Sequence, residues 1–409
     1  MPPLLNIQHN AGVFPIDEAD RCVKCALCLP HCPTYELTHD ESESPRGRIA
    51  LMQGLASGEL EAGERLAAHL DHCLACRACE AVCPAEVPYG RLIDAARATM
   101  VNAGRRPRLR FISLLARHPS SLALAAVLLR LAGSLGLTKL ATRVGPSSVR
   151  RLARYAPPPA RRARPPKRRP PETRREAALF LGCIARPFDT ETRRAAISVL
   201  EKLGVTVRIP RGQTCCGALD LHNGRPVLAR RAAKRNISAF AATPAVDCIS
   251  TTSGCGATLM EYGALEAESG AKFAQRVRDI NGYVAALLER QEQTLRPVRQ
   301  TVLLHTPCTL ANVVKDAEAP LRLLQRIPGL DVVRMPLGCC GAAGSYMLSE
   351  PETADRLVSG LVERARTLMP AAIATSNIGC ALHIRAALSA AGLAIPVKHP
   401  VALIDAQLQ

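Results

Sequence analysis

Eight cysteines of this chain fall in two runs with one spacing. Cys22, Cys25, Cys28 and Cys32 precede Pro33, and Cys73, Cys76, Cys79 and Cys83 precede Pro84, so each run reads C-x2-C-x2-C-x3-C-P. Three thiolates two residues apart can wrap one corner of an iron–sulfur cube, with the loop's backbone N–H groups turned toward the cluster sulfurs. The fourth then points away and reaches a second cube. The pattern predicts two [4Fe–4S] clusters with exchanged fourth ligands: one on Cys22, Cys25, Cys28 and Cys83, the other on Cys73, Cys76, Cys79 and Cys32. Zinc would also accept four thiolates, but it gives no reason for a repeated fourth cysteine followed by proline.

Eight more cysteines lie in the C-terminal part. From residue 177 onward, short apolar runs alternate with helical stretches. The runs at 177–182, 205–209 and 246–251 lead to Cys183, to Cys215-Cys216-Gly217 and to Cys255. Those at 301–304, 332–335 and 371–375 lead to Cys308, to Cys339-Cys340-Gly341 and to Cys380. This is the grammar of a parallel sheet with helices on its faces, and ligands of such sheets collect beyond the carboxyl ends of the strands. The spacing repeats. Cys183 and Cys215 are separated by 31 residues and Cys308 and Cys339 by 30, while Cys216 and Cys255 are separated by 38 and Cys340 and Cys380 by 39. The segment is therefore an internal duplication.

Two adjacent cysteines cannot both face one way on a strand, so each Cys-Cys-Gly is a loop presenting two thiols. Its glycine is expected to let the backbone turn beside a bulky ligand. The functional reading is a further metal or cluster centre on Cys308, Cys339, Cys340 and Cys380. The set Cys183, Cys215, Cys216 and Cys255 ranks second, because Ala342-Ala343-Gly344 is a more open loop than Ala218-Leu219-Asp220. The plainer reading is reduced structural cysteines or a regulatory disulfide. The seventeenth cysteine, Cys248, is expected to be a buried hydrophobe.

The elements that must position these thiols follow from length and charge. A chain of 409 residues can form two or three domains. The 40 residues between Cys32 and Cys73 favour helices that bring two distant runs face to face, with helical stretches expected at 48–54, 60–70 and 91–101. Residues 105–175 carry 19 Lys and Arg against one acid, Glu172, an excess equal to the formal net charge of +18. The most apolar piece there, 121–133, contains Arg130 and is shorter than the ~20 residues of a membrane span. It reads either as a basic amphipathic helix on a membrane or partner, or as a helix hairpin bridging two domains. Residues 156–171 read as an extended linker of proline and like charge. Stacking aromatics are nearly absent from the basic block, so no nucleic acid is expected as a partner.

The expected fold is α+β and multidomain. Residues 1–104 form a helical two-cluster ferredoxin-like domain, 105–175 the basic segment and linker, and 176–295 and 296–409 a duplicated α/β cysteine-rich domain. Seventeen cysteines in a chain this long argue for a reducing compartment rather than a disulfide scaffold. Residues 1–10 lack the pattern of a signal peptide. No dinucleotide fingerprint, P-loop or flavin signature is present, so hydride chemistry is expected on another chain and no catalytic residue is assigned to this one.

The chain resembles the iron–sulfur subunits of glycolate oxidase (glycolate dehydrogenase), within the cysteine-rich CCG family. The matching stretches are residues 21–35, 45–49, 69–80 and 253–257, with His305-Thr306-Pro307-Cys308, residues 339–346 and Asn377-Ile378-Gly379-Cys380. The fuller family pattern ends in C-x-x-C. Here Thr252 and Asn377 stand at its first positions, leaving four thiolates in each half, enough for a conventional cluster. The resemblance implies an electron-transfer subunit whose FAD-binding partner subunits oxidise glycolate to glyoxylate. It also implies a quinone-type acceptor and a peripheral place on the cytoplasmic face of the inner membrane. Similar domain plans occur in the iron–sulfur subunit of anaerobic glycerol-3-phosphate dehydrogenase and in heterodisulfide-reductase-like thiol redox enzymes, which are the alternative readings.

Overall fold

Between the two N-terminal cysteine runs the chain coils into helices at Pro45–Ser57 and Glu64–Asp71, and after the second run at Tyr89–Asn102. Local sequence sets the first of these. Ser44 caps it by accepting the Gly47 amide, Pro45 occupies its first turn, and Gly58 ends it in the left-handed conformation. Ile49, Met52, Leu66, Leu70, Leu92, Ile93 and Met100 recur at helical spacing and pack into one core, each worth about 1.5–3 kcal/mol of burial. That core carries the two cysteine runs toward each other. The second helix starts at Glu64 rather than residue 60, because Leu60 turns back instead, its amide donating to the Gly54 carbonyl. This computed structural model describes residues 14–105, 110–156, 175–243, 246–291 and 293–409. Residues 1–10, read as lacking a signal peptide, and nearly all of the 156–171 linker fall outside the described residues.

The basic segment forms helices at Arg110–Arg117, Pro119–Ser134, Leu137–Val144 and Ser147–Arg154. One face of these helices packs on the following half, as the hairpin reading expects, and another is left open. Ala116 and Leu122 are buried against Ala178, Phe180 and Cys183 of the following half. Leu124, Leu128, Leu131 and Leu135, spaced along the other face, are exposed. Among the described residues no helix is long and apolar enough to cross a membrane.

The C-terminal part is two four-stranded parallel sheets with one plan. The first consists of β1 (Arg175–Phe180), β2 (Val205–Arg208), β3 (Asp247–Ser250) and β4 (Val277–Asp279) in the order β2-β1-β3-β4. The second consists of β5 (Gln300–Leu304), β6 (Leu330–Arg334), β7 (Ala372–Ala374) and β8 (Val397–Lys398) in the order β6-β5-β7-β8. The central strands are runs of apolar residues because helices cover both faces. The edge strands β4 and β8 are too short to carry an apolar run, so the sequence pattern did not disclose them. Strand order reverses between β1 and β3 and between β5 and β7, so each half has a crevice at its carboxyl edge.

The halves share one core. Ala177, Leu179, Val199 and Ile249 of the first pack in a single cluster with Val302, Leu304, Leu323 and Ile404 of the second. Each Cys-Cys-Gly is a loop, as the sequence requires. Gly217 and Gly341 have φ of +96° and +81°. A Cβ would lie 3.2 Å from the Ala229 backbone at Gly217 and 2.7 Å from the Ala354 carbonyl oxygen at Gly341. The close neighbour that demands glycine is therefore the next helix of each half rather than a ligand.

Candidate metal centres

The two N-terminal cysteine loops are bent at matching positions. Lys24 and Ala26 in the first run, and Ala75 and Arg77 in the second, all adopt positive φ. Residues with side chains take this conformation at a cost. Its repetition at equivalent places curls each loop around its own centre.

Two hollows result. The first, about 450 Å³ with its mouth, is lined by Cys22, Cys25, Cys28 and Cys83, and Cys79 also borders it. The second, about 300 Å³, is lined by Cys32, Cys73, Cys76 and Cys79. The fourth cysteine of each run thus stands with the first three of the other. Cys25 is exposed, whereas Cys32, Cys73 and Cys79 are buried, so the thiols of the second hollow are the more shielded. Burial pushes the Cys28 thiol up to about 11, against the pull of backbone N–H groups. Burial likewise raises Cys76 and Cys79. Thiols this crowded repel one another as thiolates, and a cationic core relieves the repulsion. The donor set and the bent loops fit a thiolate-bound cluster.

Sequence reasoning missed the charge beside the second hollow. Arg48 is 1% exposed and lines it. Its guanidinium pairs with Glu43 and donates to the Thr34 hydroxyl at 3.0 Å and to the His69 carbonyl at 2.7 Å. Burial disfavours its charge, but Cys73 and Glu43 among its acidic neighbours hold its pKa above the usual value. Glu43 also receives His69 Nδ1 at 2.7 Å. A positive side chain locked against buried thiolates supports them as anions.

In the first cysteine-rich half Cys183 neighbours Cys215, Cys215 neighbours Cys216, and Cys216 neighbours Cys255. The neighbouring Cys215, together with burial, pushes the Cys183 thiol well above its ordinary value. The loop is clamped from behind. Asn236 donates to the Cys215 carbonyl at 2.9 Å and to the Tyr262 hydroxyl at 2.8 Å, and Tyr262 donates to the Cys216 carbonyl at 2.9 Å. Cys248 is fully buried within β3, apart from these four.

In the second half Cys308 neighbours Cys339 and Cys340 neighbours Cys380. The neighbouring Cys380 pulls Cys340 below an ordinary thiol, while Cys380 itself is raised. A further residue joins them: His305, with Cys340 and Cys380, forms a buried group whose ligand atoms lie within 4.8 Å of one another. Burial keeps the imidazole neutral, lowering its pKa to about 4. Its position immediately after β5, at the sheet's carboxyl edge, is the signal that could have found it.

The second hollow and the second half meet. Leu74 and Cys76 pack in one cluster with Cys339, Cys340 and Cys380, and Cys339 contributes to raising Cys76. Asn312, in the π-helical turn Leu310–Val314, donates to the Cys76 carbonyl at 2.8 Å.

Comparison with known families divides the chain in the same way. Residues 18–87 match the 4Fe-4S dicluster domain, and residues 177–260 and 302–385 each match the cysteine-rich domain CCG. A probable glycolate oxidase iron–sulfur subunit of Bacillus subtilis (strain 168) is 32% identical over 94% of this chain and 92% of its own length. The chain belongs to the glycolate oxidase iron–sulfur subunit family. The glycolate oxidase iron–sulfur subunit of Escherichia coli (strain K12) is 30% identical over 98% of both chains. The family's kinship extends to shorter proteins: lactate utilization protein A of Geobacillus kaustophilus is 29% identical over 57% of this chain and 99% of its own length.

Proposed function

We propose that this chain is the electron-transfer subunit of a glycolate (2-hydroxy acid) dehydrogenase complex. In this reading FAD-binding subunits oxidise glycolate to glyoxylate, and the chain conveys their electrons toward a quinone-type acceptor. One [4Fe–4S] cluster is held by Cys22, Cys25, Cys28 and Cys83, the other by Cys73, Cys76, Cys79 and Cys32, and a further iron centre by Cys308, Cys339, Cys340 and Cys380. When bound, these groups supply one-electron redox chemistry. The observation that carries the reading is the contiguity of the thiol sites: exposed Cys25 borders the first hollow, Cys79 borders both hollows, and Cys76 of the second packs with Cys339. Around them the protein fixes Arg48 beside the second hollow and ties its loop to the π-helical turn through Asn312.

The test is glycolate-dependent dye reduction by anaerobically purified protein. Activity is expected from the complex with its flavin subunits and not from this chain alone; turnover by the chain with iron but no partner refutes the relay. The row of neighbouring thiols Cys183, Cys215, Cys216 and Cys255 favours a second reading, a heterodisulfide-reductase-like thiol enzyme. Disulfide reduction by the chain alone supports that alternative.

The exposed leucine face of the basic helices is proposed to rest on the anionic cytoplasmic face of the inner membrane. Apolar area and positive charge then act together.

A further inference from the structure

We infer that His305 is a ligand of the iron centre in the second cysteine-rich half, its Nε2 standing with Cys340 and Cys380, so that this centre has mixed nitrogen and sulfur ligation. The inference rests on the proposal that this half holds an iron centre.

Four observations carry it. His305 is 5% exposed and its Nε2 has no hydrogen-bond partner, a costly state for a buried polar atom unless something occupies it. The other ring nitrogen is engaged: Nδ1 lies 3.0 Å from the Thr375 hydroxyl. That contact follows from the sheet itself, since Leu304 pairs with Ala374 and the His305 amide donates to the Ala374 carbonyl at 2.9 Å. A histidine that binds metal through one nitrogen commonly has the other fixed in this manner, which sets the tautomer and aims the lone pair.

The third observation is spatial. The ligand atoms of His305, Cys340 and Cys380 lie within 4.8 Å of one another, all buried. The fourth concerns the donor the chain lacks. Asn377 stands where the fuller family pattern has a cysteine, and its side chain is occupied capping the next helix, accepting the Gly379 amide at 3.0 Å. His305 supplies a donor from the neighbouring loop instead. In the first half the residue that follows β1, as His305 follows β5, is Leu181. The duplication thus sets Leu181 in one half against His305 in the other.

The ordinary alternative is a core histidine satisfied by its surroundings. Here only one of its two nitrogens is satisfied.

The test uses the full chain purified without oxygen, with iron and sulfide quantitation, redox titration and pulsed EPR on protein carrying either natural or 15N-labelled histidine. The expected result is nitrogen coupling to the third centre that changes with the isotope. In His305→Cys the iron is expected to remain, the coupling to vanish and the midpoint potential to fall, because a thiolate anion replaces a neutral imidazole. A third centre without nitrogen coupling, and unchanged in His305→Cys, overturns the inference while leaving the iron centre in place. If the wild type and Cys339→Ser/Cys340→Ser contain the same iron, no third centre exists, and both the inference and the proposal beneath it fail. The isotope comparison needs no variant, so a misfolded substitution does not shelter the idea.

Discussion

The side-chain amide of Asn312 donates to the backbone carbonyl of Cys76 at 2.8 Å, across 236 residues of sequence. This bond fastens the loop of the second hollow to the turn just beyond Cys308. Asn312→Ala should cost about 1 kcal/mol of local stability. Hydrogen exchange over residues 73–79 and 310–316 is expected to quicken roughly fivefold, the factor that such a loss implies. Unchanged exchange in both stretches would mean that packing alone holds this junction.

Replacing Cys32 with Ser should damage the cluster assigned to Cys73, Cys76 and Cys79, because Cys32 lines the second hollow with them. The signal of the Cys22, Cys25 and Cys28 cluster should persist. EPR of the reduced variant decides, and loss of the first cluster instead would show that fourth ligands are not exchanged.

Arg48→Met removes one member of a buried ion pair and leaves Glu43 with only its histidine partners. The expected loss is about 3–5 kcal/mol, read by chemical denaturation of anaerobic protein. The midpoint potential of the second cluster should fall as well, since a positive charge beside it is gone. Arg48→Met/Glu43→Leu removes both charges and should recover part of the stability and part of the potential.

His222 joins the cysteine-rich part to the N-terminal helices through Asp94, with Nδ1 2.9 Å from its carboxylate. Partial desolvation of the ring disfavours the imidazolium, but the Asp94 charge and hydrogen bond outweigh it and raise the pKa above 6.5. A raised folded-state pKa stabilises most below the unfolded value, near 6.5, and the benefit is lost as pH climbs through the folded value. The His222 side chain is 45% exposed, so solvent screening reduces the effect to about a few tenths of a kcal/mol. Asp94→Asn should therefore lower the Tm at pH 6 more than at pH 8.5, and an equal drop at both would show that proton binding is not involved.

The open leucine face predicts vesicle binding. Leu128→Asp/Leu131→Asp should abolish flotation with anionic vesicles, and salt should weaken the wild-type interaction, because exposed charges are screened over ~8 Å at physiological ionic strength. Flotation indifferent to salt, lipid charge and these substitutions would rule out membrane docking by this face.

What could be read in advance depended on how each feature is encoded. The two cysteine runs, the duplicated spacing and the central strands are periodic, and periodicity survives in one dimension. Cys215-Cys216 announced a loop because no strand can turn two neighbours to one face. Arg48, Asn312 and His305 carried no such mark. Arg48 lies in a helix among other basic residues, Asn312 in an irregular turn, and His305 beside a cysteine that drew attention first. Each acquires its role from a partner far along the chain: Cys73, Cys76 and Cys380. The strands β4 and β8, three and two residues long, show the same limit, since too few positions remain to express an alternation.

The core common to both sheets has a consequence for how the protein is monitored in the cell. Leu179 and Val199 are packed with Leu304 and Ile404, so neither half can open without loosening the other. Metal that binds only the native form stabilises the whole body by mass action, even when it sits in one half. On the proposal that Cys340 and Cys380 hold iron, a chain without it is expected to unfold more readily throughout the duplicated region. On that proposal the fused halves would convert incomplete loading at a single pocket into a shortened lifetime of the entire subunit.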